Sequence, residues 1–301
     1  MEKTTTLTTE LALLLALSTL WGASYTFIKI GVETIPPVTL VAARTFIAGG
    51  LLLAIIGWRG LKLPRDRKTW AYFLFQACLN SVLPFTLIAW AERTTDAGLA
   101  AILNSTTPIF AFLITALITR HEALTARKLF GVSAGLIGTA LIIGVGALGS
   151  IGQALWAQLA IVTATICYAG AAVFGRNFRE LDPMMPAAGS LISGAVILLP
   201  VSVIVDHPWT LQPSLHSLLA LLALSVFSTA LAFVIYFRLV QTLGSVGATA
   251  QAYLRVPIGV AIGVIFLGET LSSTAGVGLA CVMAGVIAMT LPTRRRFRQA
   301  A

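Results

Sequence analysis

Residues 21–36 read WGASYTFIKIGVETIP, and residues 168–183 read YAGAAVFGRNFRELDP. Set one above the other at a shift of 147 residues, Trp21, Phe27, Lys29, Glu33 and Pro36 fall on Tyr168, Phe174, Arg176, Glu180 and Pro183. The same shift sets Glu122, Leu124, Gly131 and Gly138 on Glu269, Leu271, Gly278 and Gly285. A slip of two residues between these blocks sets Gly98 on Gly247 and Pro108 on Pro257. The chain is an internal repeat, 1–149 and 150–301, and each half holds five long apolar segments. An odd number of membrane crossings per repeat turns the second half upside down relative to the first. Inverted repeats of this kind place a substrate site between the halves and work by alternating access.

Apolar residues make up 57% of the 301 and charged residues 10%. A soluble domain of this length could not hide so much apolar surface, whereas a polytopic membrane protein need not. Ten spans are expected, near 10–29, 37–57, 70–91, 97–118, 126–146, 154–175, 184–205, 215–237, 245–267 and 274–291. Each is roughly 20 residues, the length that crosses about 30 Å of hydrocarbon as a helix. The segments are continuously apolar rather than alternating, so helices are expected and a barrel is not. The expected fold class is an all-α polytopic membrane protein, ten transmembrane helices in two inverted five-helix repeats around a central cavity.

The net charge of +9 invites a nucleic-acid reading, and its distribution turns that reading down. With the N-terminus placed inside, Lys3, five residues of the 58–69 loop, Arg120, Arg127, Lys128, Arg176, Arg179, Arg238 and four of the tail share one side. These are sixteen of the twenty Lys and Arg, a positive-inside signature that predicts both termini in the cytoplasm. The partner it implies is the lipid bilayer, not a nucleic acid. The start, Lys3 and an apolar run from Leu11, has the look of a signal peptide. The run continues to Ile30 without a small-residue cleavage site, so an uncleaved first span is expected. Cys78, Cys167 and Cys281 fall inside spans at spacings that match no metal site, and three free thiols are expected. No cofactor, metal or catalytic residue is indicated.

Polar residues within a span are costly and ask for a reason. Trp21, Tyr25 and Lys29 recur at helical spacing with Ser24 alongside, and Tyr168, Ala172 and Arg176 repeat the stripe. Trp21, Ser24, Tyr25 and Tyr168 are read as cavity-facing, and Lys29 and Arg176 as packing and interfacial residues. Pro84, Pro108 and Pro257 interrupt spans and each removes the hydrogen bond to the carbonyl four residues earlier, those of Asn80, Asn104 and Tyr253. Asn80 aligns with Ser228 and Ser81 with Thr229, so these groups are expected to line a polar chamber, or else to form kinks repaired locally. Arg44, about 10 Å below the outer surface at 1.5 Å per residue, is long enough to snorkel outward. Arg255 lies near the midplane with Gln251 one turn away, and no Asp or Glu is read at that depth. Gly131, Gly135 and Gly138 on the fifth span, with Gly276, Gly278 and Gly285 on the tenth, invite close helix packing, within the chain or in a homodimer.

These landmarks resemble the drug/metabolite transporter superfamily with two EamA-type domains. The residues that carry the likeness are Trp21-Gly22, Lys29, Pro36-Pro37, Arg44, Pro108, Glu122 and Gly131 in the first half, and Pro257, Glu269 and Gly278 in the second. The second half departs from the pattern with Tyr168-Ala169 in place of Trp-Gly, and with Leu191 where Arg44 maps. Within the superfamily the chain is most similar to bacterial YddG-type exporters of aromatic and other neutral amino acids. The resemblance implies ten helices around a central cavity, with the fifth and tenth at the periphery.

The expected substrate is therefore a free amino acid. Arg255, assisted by Gln251, is the candidate for its carboxylate. Freed carbonyls with Asn80 or Asn104 are candidates for its ammonium, and Trp21, Tyr25, Tyr168 and Tyr253 for its side chain. Export of other metabolites or drugs is the alternative. An intramembrane enzyme would need a nucleophile–base pair or metal cluster at depth, which the sequence does not offer. Without a mid-membrane carboxylate or histidine, facilitated transport down the substrate gradient is expected rather than ion coupling.

Overall fold

The computed structural model describes residues 7–117, 125–143, 153–178, 180–182, 184–236, 238–239 and 251–290. These residues are helical, joined by short connections. In the first half α1 spans Leu7–Gly31, α2 Pro37–Trp58, α3 Arg67–Ala77 and α4 Leu83–Ala91. α5 follows at Ala97–Asn104, α6 at Thr107–Leu117 and α7 at Ala126–Ile143. In the second half α8 spans Gln153–Phe174, α9 Met184–Val205, α10 Leu215–Ser225, α11 Gln251–Leu267 and α12 Ser273–Thr290. A π-turn at Cys78–Val82 joins α3 to α4, and a second at Val226–Leu231 continues α10 into helical residues 232–236. Seven helical runs are long and apolar enough to cross a membrane, and shorter apolar helices lie at 129–141, 254–267 and 273–285. They fall on the ten expected segments, and the protein is an all-α, multi-pass membrane protein.

Local chemistry sets the ends of these helices. Pro36 and Pro37 open α2, where the missing N–H costs nothing. Asp66 accepts from the Thr69 N–H at 2.7 Å to cap α3, and Ser214 from the Ser217 N–H at 3.1 Å to cap α10. α2 and α11 each run out at a glycine in the left-handed region, Gly60 (φ 67°) and Gly268 (φ 66°). Inside the helices hydroxyls fold back onto their own carbonyls, as Ser18 does on Leu14 and Thr45 on Val41, so little polar surface meets lipid.

The packing repeats as the sequence does. α2 lies on its repeat mate α9, and α7 on its mate α12. α1 packs on α10 and α11, while α8, the mate of α1, packs on α6, the mate of α11, and on α4, which continues the span that opens with α3, the mate of α10. Under the repeat α2–α9 and α7–α12 map onto themselves, α1–α11 onto α6–α8 and α3–α9 onto α2–α10, as expected for two halves related by a pseudo-two-fold axis. The glycines predicted to allow close approach are used inside the chain. A Cβ on Gly138 would stand 2.6 Å from the Gly278 carbonyl oxygen and 2.8 Å from the Val282 nitrogen. The α7–α12 pair has few other neighbours and forms the flank of the bundle. Gly22 and Gly259 also bring α1 close to α11, with the position of a Gly22 Cβ 3.1 Å from the Arg255 carbonyl oxygen.

Candidate substrate site

Five helices and the second π-turn bring their polar groups to the middle of the bundle. Arg44 on α2 is 6% exposed and does not snorkel outward. Its guanidinium carbon lies 3.7 Å from the centroid of the Phe85 ring on α4, and its Nε donates to Thr229 Oγ1 at 2.9 Å. Thr229 in turn donates to the Leu224 carbonyl at 2.8 Å, so Arg44 of the first half holds the helix break of the second. The side chain turns inward because an aromatic face and a hydroxyl accept it there, whereas an outward path offers only lipid. Phe85 also meets Tyr168 of α8, ring centroids 6.4 Å apart. Asn104, at the end of α5, donates through Nδ2 to the phenol oxygen of Tyr25, and both side chains are buried.

Arg255 on α11 completes the group. Its Nε is buried and has no hydrogen-bond partner. Arg44 and Arg255 each lie within electrostatic range of both Tyr25 and Tyr168. Among the described residues the one ion pair is Arg238 with Glu10, at 3.4 Å, so neither central guanidinium has a carboxylate at ion-pair distance, although Glu92 lies within electrostatic range of Arg44. Taking an ion out of water costs several kcal/mol even after relaxation. A desolvated cation–π contact returns about 2 kcal/mol and a charged hydrogen bond about 1.5–3. Arg44 has one of each, and the buried Nε of Arg255 has no partner, so the two guanidiniums are incompletely compensated.

The remaining expected residues fall into three groups. Trp21 packs at 6.2 Å on Phe233 and 5.5 Å on Tyr236, in an apolar cluster with Leu14, Leu17 and Leu239 that is separate from the main core. Ser24 spends its hydroxyl on the Trp21 carbonyl at 2.7 Å. Asn80 lies in the first π-turn, half-buried, next to a Ser81 hydroxyl that is buried and unpartnered like that of its neighbour in the repeat, Ser228. Gln251 and Tyr253 open α11, and their side chains lie outside the described residues.

The three prolines do three different things. Pro84 follows the first π-turn, in which Leu83 N–H reaches back to the Cys78 carbonyl. Pro108 stands at the second position of α6, and the carbonyls around the break are taken by local hydroxyls, with Thr107 Oγ1 on the Asn104 carbonyl at 2.7 Å and Thr106 Oγ1 on that of Leu103 at 2.7 Å. The break is therefore repaired locally at Asn104. Pro257 sits within α11, one turn after Tyr253 and two residues after Arg255.

Hydrogen bonds tie the helix ends together at one end of the bundle. Lys29 Nζ donates to the carbonyls of Glu92 at 2.8 Å and Thr95 at 2.9 Å, so it caps the C-terminus of α4. Asp206 Oδ2 accepts from Thr39 N and Thr39 Oγ1, both at 2.8 Å, and Ser217 Oγ donates to the Ile30 carbonyl at 2.8 Å. Glu269, just past α11, accepts the first free N–H groups of α5, from Ala97 at 2.6 Å and Gly98 at 2.7 Å. Asp96, the residue preceding α5, makes no side-chain cap there, so the other half supplies it.

Sequence reasoning singled out Tyr25, Asn104, Tyr168 and Arg255, which converge, but it missed Phe85 and assigned Arg44 elsewhere. It also missed Glu92, which reads as an interfacial residue in AERTTD (91–96) and is in fact fully buried. Only the alignment of Ser81 with Thr229 pointed to the second helix break. The arrangement gathers two guanidiniums and the rings of Tyr25, Phe85 and Tyr168 in one part of the bundle.

Comparison with known proteins agrees with this architecture. The model of the EamA-like transporter family matches twice, over residues 8–144 and 155–291. The uncharacterized inner membrane transporter YedA of Escherichia coli (strain K12) is 31% identical over 280 residues, which cover 92% of this chain and 89% of YedA. A probable terminal-alkyne amino-acid exporter of Streptantibioticus cattleyicolor is 26% identical, covering 93% of each chain. A crystal structure of a protein 18% identical in sequence has the same fold, with a TM-score of 0.65 over 94% of this chain and 97% of that one. The chain belongs to the EamA-like transporter family, of the drug/metabolite transporter superfamily, and is built from two EamA repeats.

Proposed function

We propose that this transporter exports amino acids, aromatic and other neutral ones, across the bacterial inner membrane by alternating access. The observation that carries the reading is the pair of central guanidiniums, Arg44 and Arg255, without a carboxylate at ion-pair distance among the described residues and flanked by Tyr25, Phe85 and Tyr168. The substrate carboxylate supplies the missing anion, and the rings receive its side chain. The reading also draws on the relative described as a probable amino-acid exporter. Both termini face the cytoplasm in this reading, and the end tied by Lys29, Asp206 and Glu269 faces outward. The substrate gradient drives net flux.

A second reading, export of other anionic metabolites, gains from Arg44, which adds a second cation to the one that the sequence places at the centre. Uptake into proteoliposomes of labelled amino acids, sugar phosphates and organic cations separates the two. Amino-acid uptake that Arg255→Gln reduces in a folded, monodisperse protein, and that carboxylate-blocked analogues do not compete for, supports the amino-acid reading. Transport of amino acids by Arg255→Gln at the wild-type rate refutes the carboxylate role.

A further inference from the structure

Glu92 follows α4 with its side chain fully enclosed, 0% exposed, and neither carboxylate oxygen has a donor in good hydrogen-bond geometry, a Lys29 backbone contact being the weakest influence on it. A carboxylate in that position faces three adverse terms. It is out of water, where an unpaired charge costs several kcal/mol. It stands at the negative end of a helix. The charged neighbours are occupied elsewhere. Lys29 from α1 is the leading cationic influence, but its ammonium is held by the backbone carbonyls of Glu92 and Thr95. Glu269, following α11, brings a second negative charge whose oxygens are taken by the α5 N–H groups. Arg44 of α2 and Tyr25 of α1 are in electrostatic range, and Arg44 is engaged with Phe85 and Thr229.

A neutral carboxylic acid avoids all three terms. Burial is also the leading influence on this group and holds its acidity well below that of an ordinary carboxyl.

We propose that Glu92 is a proton-binding site that latches this end of the bundle, holding a proton while the end is closed and giving it to the adjacent water when the end opens. The inference rests on the alternating-access reading. The balance is simple: the carboxylic acid becomes a carboxylate and one proton enters the solution on the same side, so no proton crosses the membrane. The sign follows from linkage. The closed form holds the proton more tightly, so acid on this side favours closure and alkali favours opening. Between the proton affinities of the two forms, the opening equilibrium shifts by up to about tenfold per pH unit. Glu92→Gln, permanently neutral, stays closed at every pH.

Thr95 reports on the latch, because its backbone carries one of the Lys29 bonds and its side chain is 4% exposed. Cys78, Cys167 and Cys281 are replaced by alanine, and Thr95→Cys is labelled by an impermeant thiol reagent in reconstituted vesicles. Thr94→Cys, already exposed, corrects for the ionisation of the thiol itself. The expected result is a Thr95:Thr94 labelling ratio that rises with pH by up to about tenfold per unit above the ordinary carboxyl range, and that Glu92→Gln flattens at its acid value. A ratio independent of pH in the protein with native Glu92 overturns the proposal, whether or not Glu92→Gln folds. A ratio that Glu92→Gln leaves equally pH-dependent also overturns it. Accumulation of substrate driven by an imposed pH gradient and lost in Glu92→Gln overturns the same-side latch in favour of a coupled proton. None of the labelling readouts requires an amino acid, so failure of the substrate assignment is seen separately.

Discussion

Replacement of Glu269 by glutamine tests whether one half of the molecule caps a helix of the other. The carboxylate accepts two backbone N–H groups, at 2.6 and 2.7 Å, at the start of α5. Hydrogen bonds to a charged acceptor contribute about 1.5–3 kcal/mol each, and a neutral one about 0.5–1.5. Glutamine keeps one oxygen for one N–H and turns an amide N–H toward the other, so one bond weakens and one is lost. It also removes a negative charge from a helix N-terminus, where such a charge contributes about 0.3–1 kcal/mol. The sum approaches 4 kcal/mol, and because Glu269 is only half-buried we halve it for solvent screening, to about 2 kcal/mol. If these bonds exist only in the closed form, that is roughly a 30-fold shift toward opening. The assay is labelling of Thr95→Cys in the cysteine-free background, read together with thermal unfolding in detergent. Glu269→Gln that labels at the wild-type rate and unfolds at the wild-type temperature refutes the cross-half cap. Gly98→Ala is a companion variant, because its new Cβ would stand 3.0 Å from Glu269 Oε2 and crowd the same contact.

Three further outcomes are expected. Gly138→Val drives side-chain atoms into the α12 backbone and should destabilise the protein by about 1–3 kcal/mol in thermal unfolding, whereas Gly50→Ala, with nothing within 4 Å, should leave it unchanged. Single cysteines at Thr69 and Ser214 report the orientation in intact cells: an impermeant reagent should reach position 214 and spare position 69, and the reverse pattern refutes the proposed orientation. Counterflow should proceed in vesicles without an imposed pH gradient, and such a gradient should not by itself concentrate substrate.

The fold was legible because its signals are local in the chain. Apolar length gave the spans, the 147-residue repeat gave the two halves, and Pro84 marked the first helix break. The second break carries no proline. It is built from the Thr229 hydroxyl on the Leu224 carbonyl and from Arg44, groups that meet only after α2 and α10 have packed. The same reason hid the inward course of Arg44, since its partners Phe85 and Thr229 are distant in sequence. Glu92 escaped because polar residues at a span boundary are ordinarily wet, and only the closure of the Lys29 and Glu269 contacts encloses it. Conversely, Tyr25 and Asn104 were each legible as costly polar residues within a span, though not as partners.

The two π-turns are matched in position yet differ in permanence. In the first, the ring of Pro84 has no N–H to offer, so no rearrangement of side chains can restore the regular helix there. In the second, the interruption depends on a hydroxyl that Arg44 holds in place, and a hydroxyl can let go. Symmetry of architecture thus coexists with asymmetry of fixation: one half's interruption is written into a proline ring of its own, the other's is held by hydrogen bonds, one of which reaches across from the opposite half.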